Sequence, residues 1–484
     1  MFSRSNQNQL LKTASLVLGL CALAMAPACS GEKKVEKKGL CPESWREYPF
    51  QPPGTDIVFP DDEGAHYPSD NEVTMEWWYT IYHLVTPSGR EFSVMATFFM
   101  PQAEMAYRPF NITDVENEVM YDTSEWGTLE AGEGELDLVF VSDDPDVPHS
   151  TFWNQRYESG TLKPFHYEQH LHYVAPNDPS RTQSLHLKIQ SMKSPYIVGD
   201  DGYVTIGDSG DSYYYSLTNL EVKGELSIDG ESFEVTGFGW LDHQWGPFML
   251  NPLPFSKNSY EWMALHLDNG QEYMVSTIFD QQNQTHREEG FGSIGWKNAD
   301  CTQGISLDHT IERLAYWKHE EEGDFYSHKW HIVVPETGLD VVVEPVIDNQ
   351  TVDFLGTCFY EGRSLVTGTV DGVPVTGLAF AELVHHYEVP ELEIVSPEVG
   401  SEIGGDVSIS WQVLNPDDGL PLTYDVVVTD SGQTETTVCE DVEETTCNAD
   451  LSSFHGPIQI TVWASSVDEV IKGSTTVDAT ATNP

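Results

Sequence analysis

Short runs in which apolar and polar residues alternate dominate this chain. Residues 222–237 (VKGELSIDGESFEVTG) contain two such runs on either side of Asp229-Gly230, a dipeptide typical of the turn in a β-hairpin. Residues 366–377 (VTGTVDGVPVTG) repeat the pattern around Asp371-Gly372. Because successive residues of a strand point to opposite faces, this alternation predicts antiparallel strands, while long helical periodicity is scarce.

The chain has two halves that begin alike as well as end alike. Glu76-Trp77 precedes residues 88–94 (SGREFSV), and Glu261-Trp262 precedes residues 269–275 (NGQEYMV). Both halves then end on Val-Thr-Gly. The same short sequences in the same order predict two tandem β-units, each about the size of an antiparallel barrel. Chance similarity between hairpin sequences is the alternative explanation.

The composition changes after Pro390. Asp, Glu, Thr and Val dominate from there, and Lys472 is the only basic residue. Residues 409–428 read as strand, turn and strand. This C-terminal segment, residues 389–484, therefore resembles a fibronectin type III or immunoglobulin-like sandwich.

Charge excludes one class of partner. The 484 residues contain 23 Lys and Arg against 78 Asp and Glu, which gives a formal charge of −55. A polyanion is repelled by such a surface, so we expect no nucleic acid partner.

The N-terminus has the layout of an export signal. Basic residues precede an apolar stretch from Leu16 to Met25, and Ala-Pro-Ala then precedes Cys29. We predict a signal peptide over residues 1–28, then a lipidated Cys29 and a tether up to residue 60. These features predict a bacterial outer-membrane or cell-surface lipoprotein held in the membrane by its lipid anchor. A periplasmic or secreted protein is the alternative.

Five cysteines remain after Cys21 and Cys29 in a compartment that favours disulfides. Cys439 and Cys447 are close together and are predicted to staple a hairpin. A second disulfide is predicted between Cys301 and Cys358, which leaves Cys41 unpaired.

Several aromatic and acidic motifs occur in a fixed order between residues 60 and 388. They are Glu76-Trp77-Trp78-Tyr79, Tyr213-Tyr214-Tyr215-Ser216, Trp240-x-Asp242-His243-x-Trp245-Gly246, Tyr360-Glu361-Gly362 and Glu382-Leu383. In this order the chain resembles the AttH-like family, which includes the carotenoid 1,2-hydratases (hydroxyneurosporene synthases). The resemblance implies an all-β chain with two tandem lipocalin-like antiparallel barrels, over residues 61–245 and 246–388, and an apolar pocket in or between them.

The resemblance also directs attention to the junction between the barrels. Hydrating a trisubstituted double bond requires protonation to a tertiary carbocation, so the site needs a carboxylic acid kept neutral by apolar surroundings. It also needs aromatic faces for the cation and a base for the water. Asp242 is the predicted acid and His243 the predicted base. The predicted ligand-binding residues are Trp77, Tyr79, Trp240, Trp245 and Trp262.

The chain departs from the family pattern in its acids. Gln244 stands where many relatives have an acid, and two residues after Tyr273 the chain has Val275 rather than a second carboxylate. Hydrogen bonding at the junction without catalysis is therefore an alternative role for Asp242 and His243. If residues 76–79 form a strand, alternation places Trp77 and Tyr79 on one face.

A metal site is not predicted. His170, His172 and His186 have a spacing that suits a three-histidine site, but the apolar residues alternating with His186 place it on a solvent-facing side. No nucleotide, serine hydrolase or zinc protease motif is present.

Two functional hypotheses remain. The first is a cofactor-free hydratase, or a related lyase or isomerase, that acts on an apolar isoprenoid or polyene. The second is a lipocalin-like carrier that binds a lipid or carotenoid without turning it over.

Overall fold

Strands make up most of the chain in a computed structural model. It describes residues 41–66, 73–102, 105–132, 134–206, 209–248, 259–279, 291–354, 357–415 and 418–482. The helical elements of these residues are two short 3-10 turns, Glu43–Trp45 and Asp61–Glu63. No helix in the described ranges is long and apolar enough to cross a membrane. The prediction of an all-β fold is confirmed.

The first sheet contains thirteen strands. They are β1 (Met75–Val85), β2 (Glu91–Gln102), β3 (Met105–Asp114), β4 (Val119–Tyr121), β5 (Ser124–Ala131), β6 (Asp137–Ser142), β7 (Ser150–Arg156), β8 (Leu162–Ala175), β9 (Asp178–Ser191), β10 (Tyr196–Ile197), β11 (Tyr203–Thr205), β12 (Asp211–Ile228) and β13 (Glu231–Gly246). Ten of them close a barrel in the order β12-β13-β1-β2-β3-β5-β6-β7-β8-β9, because β9 pairs back to β12. Strand β4 pairs with β3, and both β10 and β11 pair with β12.

The second sheet contains ten strands. They are β14 (Ser259–Leu267), β15 (Glu272–Phe279), β16 (Ile294–Lys297), β17 (Gln303–Ser306), β18 (Thr310–Lys318), β19 (Phe325–Val334), β20 (Leu339–Pro345), β21 (Thr351–Phe354), β22 (Thr357–Val370) and β23 (Val373–Leu383). Their order is β17-β16-β15-β14-β23-β22-β20-β19-β18, with β21 beside β22. One face of this sheet packs on a hydrophobic core that is separate from the core of the first barrel and includes Tyr273, Trp330 and Tyr360.

The C-terminal residues form two further sheets around a separate core. Their strands are β24 (Leu392–Ser396), β25 (Glu402–Ile403), β26 (Asp406–Val413), β27 (Thr423–Asp430), β28 (Glu435–Val442), β29 (Thr446–Asp450), β30 (His455–Ser465) and β31 (Lys472–Thr482). One sheet has the order β24-β26-β29 and the other β25-β31-β30-β27-β28. Trp411, Tyr424 and Val426 lie in the core between them. Disulfide-bonded Cys439 and Cys447 connect β28 to β29.

The repeated hairpins occupy equivalent places in the first two sheets. Asp229 and Gly230 between β12 and β13 have φ of 49° and 83°, and Asp371 and Gly372 between β22 and β23 have φ of 51° and 72°. Positive φ at both positions is what a type I′ turn requires, and Asp-Gly tolerates it. The last strand of each hairpin returns to the first strand of its half, so β13 pairs with β1 and β23 with β14.

The segment before β1 packs against the first barrel. Trp45, Ile57 and Phe59 are buried in the core of that barrel, so residues 41–60 do not form the tether that the sequence predicted.

The prediction of a disulfide between Cys301 and Cys358 is wrong. Cys301 pairs with Cys41, and Cys358 is a free thiol. Spacing along the chain did not reveal that the N-terminal segment reaches the second sheet.

The two sheets meet through a third apolar core. Ile81, Met95 and Phe99 of the first sheet pack here with residues of the second sheet that include Trp262 and Phe380. Ion pairs cross the same junction, between Lys193 and Glu272 at 2.5 Å and between Arg363 and Glu91. This junction holds the candidate site.

Candidate functional site

Strand alternation divides the motif residues of β1 and β13 between two environments. Trp77 and Tyr79 face the second sheet, whereas Trp78 lies in the core of the first barrel. On β13, Trp240 and Asp242 also face the junction. Both strands therefore present one set of side chains to the junction and another to the interior of the barrel.

A largely apolar cavity lies in the junction between the two sheets. Its volume is about 80 Å³. The first sheet lines it with Met75, Trp77, Tyr79, Met95, Thr97, Phe99, Pro109, Tyr214, Asp242 and Gln244. Beyond the first sheet, it is lined by Tyr260, Trp262, Phe291, Phe359, Glu361, Glu382 and Val384. Each sheet thus contributes aromatic side chains and at least one carboxyl group.

Two of the carboxyl groups are direct cross-strand neighbours. Glu361 on β22 is paired with Glu382 on β23, so both side chains project from the same face of the sheet. The Tyr79 hydroxyl donates a hydrogen bond to Glu361 at 2.9 Å across the junction. The Tyr260 hydroxyl donates to Glu382 at 2.5 Å. Two buried carboxylates side by side repel each other, which favours keeping a proton on the pair.

The third carboxyl group, Asp242, has more hydrogen-bond donors. The Ser216 hydroxyl donates to its Oδ1 at 2.5 Å, and the Trp240 indole Nε1 donates to the same oxygen at 2.6 Å. The Tyr214 hydroxyl also donates to this carboxyl group. Donors of this kind stabilise the ionised form of a carboxyl group.

Burial shifts all three acids toward the neutral form. It raises the pKa of Asp242 to about 7, against the lowering effect of the donors from Ser216, Trp240 and Tyr214. Burial also raises the pKa of Glu382 to about 7, with a further contribution from the charge of Asp242. The pKa of Glu361 is raised well above its usual value by burial and then by the charge of Glu382. The cavity therefore holds acids that retain protons near neutral pH.

The structure brings most of the predicted site residues together. Trp77, Tyr79, Asp242 and Trp262 line the cavity, and Trp240 donates a hydrogen bond to Asp242 without lining the cavity itself. Aromatic rings also pack against one another here, since Trp262 lies edge-on to Tyr79 and to Trp240.

His243 and Trp245 do not join this group. They alternate with Asp242 along β13, so they point into the first barrel. His243 stacks on Trp78 and lies 3.0 Å from Glu76, and neither His243 nor Trp245 lines the cavity. His243 is therefore not placed as a base beside Asp242, because adjacent residues of one strand face opposite sides.

Glu361 and Glu382 are the acids that sequence reasoning missed. Both belong to the ordered motifs, yet no role was assigned to them. The internal repeat contained the signal, because Trp77 pairs with Gln244 just as Trp262 pairs with Glu382. Gln244 of the first half thus corresponds to Glu382 of the second half, where the acid is present.

The three histidines considered for a metal lie together on the outside of the first barrel. The rings of His170 and His186 stack with centroids 4.4 Å apart, and the Nε2 atoms of His172 and His186 are 3.3 Å apart. They are separate from the cavity.

Comparison with known proteins agrees with this architecture. The AttH-like family model matches residues 51–387. A crystal structure of an AttH protein from Nitrosomonas europaea has a TM-score of 0.55 and 22% identity, and covers 70% of this chain and 99% of that chain. A crystal structure of kievitone hydratase from Nectria haematococca has a TM-score of 0.49 and 16% identity, covering 70% and 98%. A comparison with curated proteins gives no match. Because the family model spans most of the chain, this protein belongs to the AttH-like family.

Proposed function

We propose that this protein is a hydratase that adds water across a carbon–carbon double bond of an apolar substrate. The observation that carries the proposal is the set of three buried acids, Asp242, Glu361 and Glu382, in one aromatic cavity. A carrier of apolar ligands needs only the aromatic lining. Buried acids cost folding free energy, so their presence in a cavity points to a function, and protonation of an alkene requires such a group.

In this proposal the Glu361–Glu382 pair donates the proton. Burial, and for Glu361 the neighbouring charge of Glu382, keeps a carboxyl group neutral until a substrate displaces water from the cavity. Transfer of its proton to one alkene carbon leaves a carbocation on the other. The faces of Trp77 and Trp262, which line the same cavity, stabilise that charge.

Asp242 then serves as the base. Burial raises the pKa of Asp242 to about 7 against the lowering effect of the donors from Ser216, Trp240 and Tyr214, so near neutral pH a fraction of this carboxyl group is ionised and able to accept a proton. It takes a proton from the water whose oxygen bonds to the cationic carbon. The product has gained one hydrogen and one hydroxyl group, and proton return from Asp242 to the Glu361–Glu382 pair completes the cycle.

The substrate we propose is an isoprenoid or polyene whose reacting double bond lies near one end. The cavity volume of about 80 Å³ suits a short segment of such a chain. Its walls are mainly aromatic and apolar, which favours burial of hydrocarbon.

The direct test is incubation of the purified protein with a panel of isoprenoid and polyene alkenes in water labelled with heavy oxygen. We expect mass spectrometry to find a product that contains one labelled oxygen. Glu361→Gln and Asp242→Asn should each lower turnover by about 100-fold, the usual worth of a positioned acid or base. Glu344→Gln on the exposed part of β20 is the control and should keep full turnover.

The carrier hypothesis predicts a different result. A carrier would retain one of the alkenes unchanged, with no labelled oxygen in any compound and equal retention by the Glu361→Gln and Asp242→Asn variants. That pattern would replace the hydratase proposal.

We also propose that the protein is exported and anchored to the bacterial outer membrane or cell surface through a lipidated Cys29. The support is the apolar stretch before Ala-Pro-Ala-Cys29, and residues 1–40 lie outside the described residues. Replacing Cys29 by Ser should release the protein from the membrane fraction, because acyl chains supply the anchor. Wild-type protein that is already soluble and begins at an unmodified Cys29 would contradict this.

A further inference from the structure

Two histidines from different sheets meet in the junction beyond the cavity. His83 follows Tyr79 by four residues on β1, so both side chains are on the strand face that meets the second sheet. The ring of His83 lies edge-on to the ring of His266 on β14, with centroids 5.9 Å apart. Phe238 on β13 packs against both rings, at 5.1 and 4.9 Å. We call His83 and His266 the junction histidines.

His83 is buried without the hydrogen bonds that a buried polar group needs. It is 3% exposed, and neither of its ring nitrogens has a hydrogen-bond partner among the described residues. His266 Nε2, by contrast, donates to the Thr218 carbonyl at 2.8 Å. A neutral imidazole without a partner costs folding free energy, and an imidazolium in the same place would cost far more. The closed junction therefore excludes the proton that a histidine binds in mildly acidic water.

The charged groups next to the junction histidines form two ion pairs, Arg363 with Glu91 and Lys193 with Glu272. The guanidinium group of the first pair acts on His83, and the ammonium group of the second acts on His266. Glu272 is the cross-strand neighbour of His266 and has Lys297 on its other side. Near neutral pH the charges within each pair cancel. A proton bound by either histidine is repelled by the cation beside it.

Acid disturbs this balance in two ways. Burial lowers the pKa of His83 well below its usual value, and the charges of Arg363 and His266 lower it further. Burial also lowers the pKa of His266 to about 4. The pKa of Glu272 is raised by burial, against the lowering effect of Lys193, so this carboxylate loses its charge at a higher pH than an ordinary glutamate. As the pH falls, the cluster therefore gains positive charge while it loses a compensating anion.

This charge appears between two units that have cores of their own. The opposite face of β1 packs in the core of the first barrel, and the opposite face of β14 packs in the core of the second sheet. Repulsion in the junction therefore weakens the contact between the sheets more than it weakens either core. His266 also packs edge-on to Trp240 at 5.8 Å, and the Trp240 indole donates to Asp242. A change at the junction histidines thus reaches the candidate site.

We propose that the junction histidines are an acid-sensitive contact that loosens the junction when they bind protons. Near neutral pH both rings are uncharged, and the two sheets enclose the cavity. In acid the rings become cations, the contact between the sheets weakens and the cavity opens, while each sheet keeps its own core. An apolar ligand held in the junction is then released. This device is independent of any reaction at the acids in the cavity.

The first test is acidification of the purified full chain from about pH 7.5 to about pH 4. The dye anilinonaphthalene sulfonate reports exposed apolar surface, near-UV circular dichroism reports aromatic packing, and far-UV circular dichroism reports the strands. We expect dye fluorescence to rise and the near-UV signal to fall while the far-UV signal is kept. All three signals should recover when the solution is returned to neutral pH.

Variants identify the groups that bind the protons. His83→Phe keeps an aromatic ring but cannot bind a proton. Lowering the pH from about 7.5 to about 5 should raise the equilibrium constant for urea unfolding about 30-fold more in the wild-type protein than in this variant. The reason is that the unfolded histidine binds a proton that the folded protein excludes. His266→Gln, which keeps a donor for the Thr218 carbonyl, should show a similar difference from the wild-type protein.

The matched control is His149→Phe at an exposed histidine, which should show the wild-type pH dependence. The carboxyl groups of the cavity favour burial once they are protonated, but their contribution is common to all these proteins and cancels in the comparison. The same pH dependence in the wild-type protein, His83→Phe and His266→Gln would overturn the proposal. Dye binding that rises only together with loss of the far-UV signal would also overturn it, because the junction would then not open before the sheets unfold.

Discussion

At the scale of single residues, the candidate site depends on carboxyl groups that the fold has removed from water. Glu361 and Glu382 are opposite each other on neighbouring strands, and each has one tyrosine hydroxyl as a donor. Burial penalises their ionised forms more than these donors stabilise them. A protein that kept such a pair only for packing would be more stable with neutral amides in the same places.

Glu382→Gln should therefore stabilise the protein in a pH-dependent way. The folded-state pKa is about 7, above the usual value of 4.5, so between these pH values the unfolded chain releases a proton that the folded protein retains. The free energy of unfolding of the wild-type protein therefore falls as the pH rises through this window. The glutamine in the variant does not ionise, so the variant does not show this fall. We expect it to be more stable by on the order of 1–3 kcal/mol at pH 8 and by little at pH 4. Urea unfolding across this pH range measures the difference.

Glu344→Gln provides the matched comparison. Glu344 is an exposed acid on β20 of the same sheet, paired with Lys329. Its substitution should change stability by less than about 0.5 kcal/mol at either pH. An equal pH profile for Glu382→Gln and Glu344→Gln would show that Glu382 ionises normally.

At the scale of secondary structure, one strand serves two environments. Trp77 and Trp78 are adjacent on β1, but Trp77 lines the cavity while Trp78 is buried in the first barrel. The Trp78 indole also donates a hydrogen bond to the Glu63 carbonyl at 3.0 Å, which fixes the segment before β1. The two adjacent tryptophans therefore have different roles, since Trp77 forms part of the cavity wall and Trp78 stabilises the first barrel.

Trp77→Ala and Trp78→Ala should separate ligand binding from stability. Trp78→Ala removes a fully buried ring and should lower the free energy of unfolding by about 3–5 kcal/mol. Trp77→Ala should cost less stability but weaken binding of the apolar ligand, because it removes a wall of the cavity. Chemical denaturation and a ligand-binding titration on both variants measure the two effects. Equal loss of stability in both would contradict the division of faces.

At the scale of the whole molecule, contacts between distant segments hold the sheets together. The Cys41–Cys301 disulfide joins residues 260 positions apart and links the N-terminal segment to the turn between β16 and β17. The C-terminal sandwich contributes Ile471 to a small cluster with Tyr316, Phe325 and Tyr387 of the second unit. The junction cavity depends on such contacts, since neither sheet encloses it alone.

Cys41→Ser should lower the free energy of unfolding by about 2–4 kcal/mol, because the disulfide restricts the unfolded chain. Cys358→Ser is the control, since Cys358 is a free thiol and should have a much smaller effect. Thermal unfolding of both variants without reductant measures the effect. A smaller loss for Cys41→Ser than for Cys358→Ser would contradict the pairing.

The sequence by itself determined the features that depend on near neighbours. Alternating residues predicted strands, and Asp229-Gly230 and Asp371-Gly372 predicted the hairpins, because strand geometry and turn φ values are set by local sterics. The ordered motifs predicted the family, and alternation alone predicted that Trp77 and Tyr79 share a face.

Only the tertiary structure decided which of these faces meet. It placed Glu361 and Glu382 opposite Asp242, turned His243 into the first barrel, and paired Cys301 with Cys41 rather than Cys358. The face of a strand that becomes buried, and its partner there, depend on how whole sheets pack. Local sequence cannot specify that packing, because the same alternation is compatible with either face of a strand meeting the second sheet.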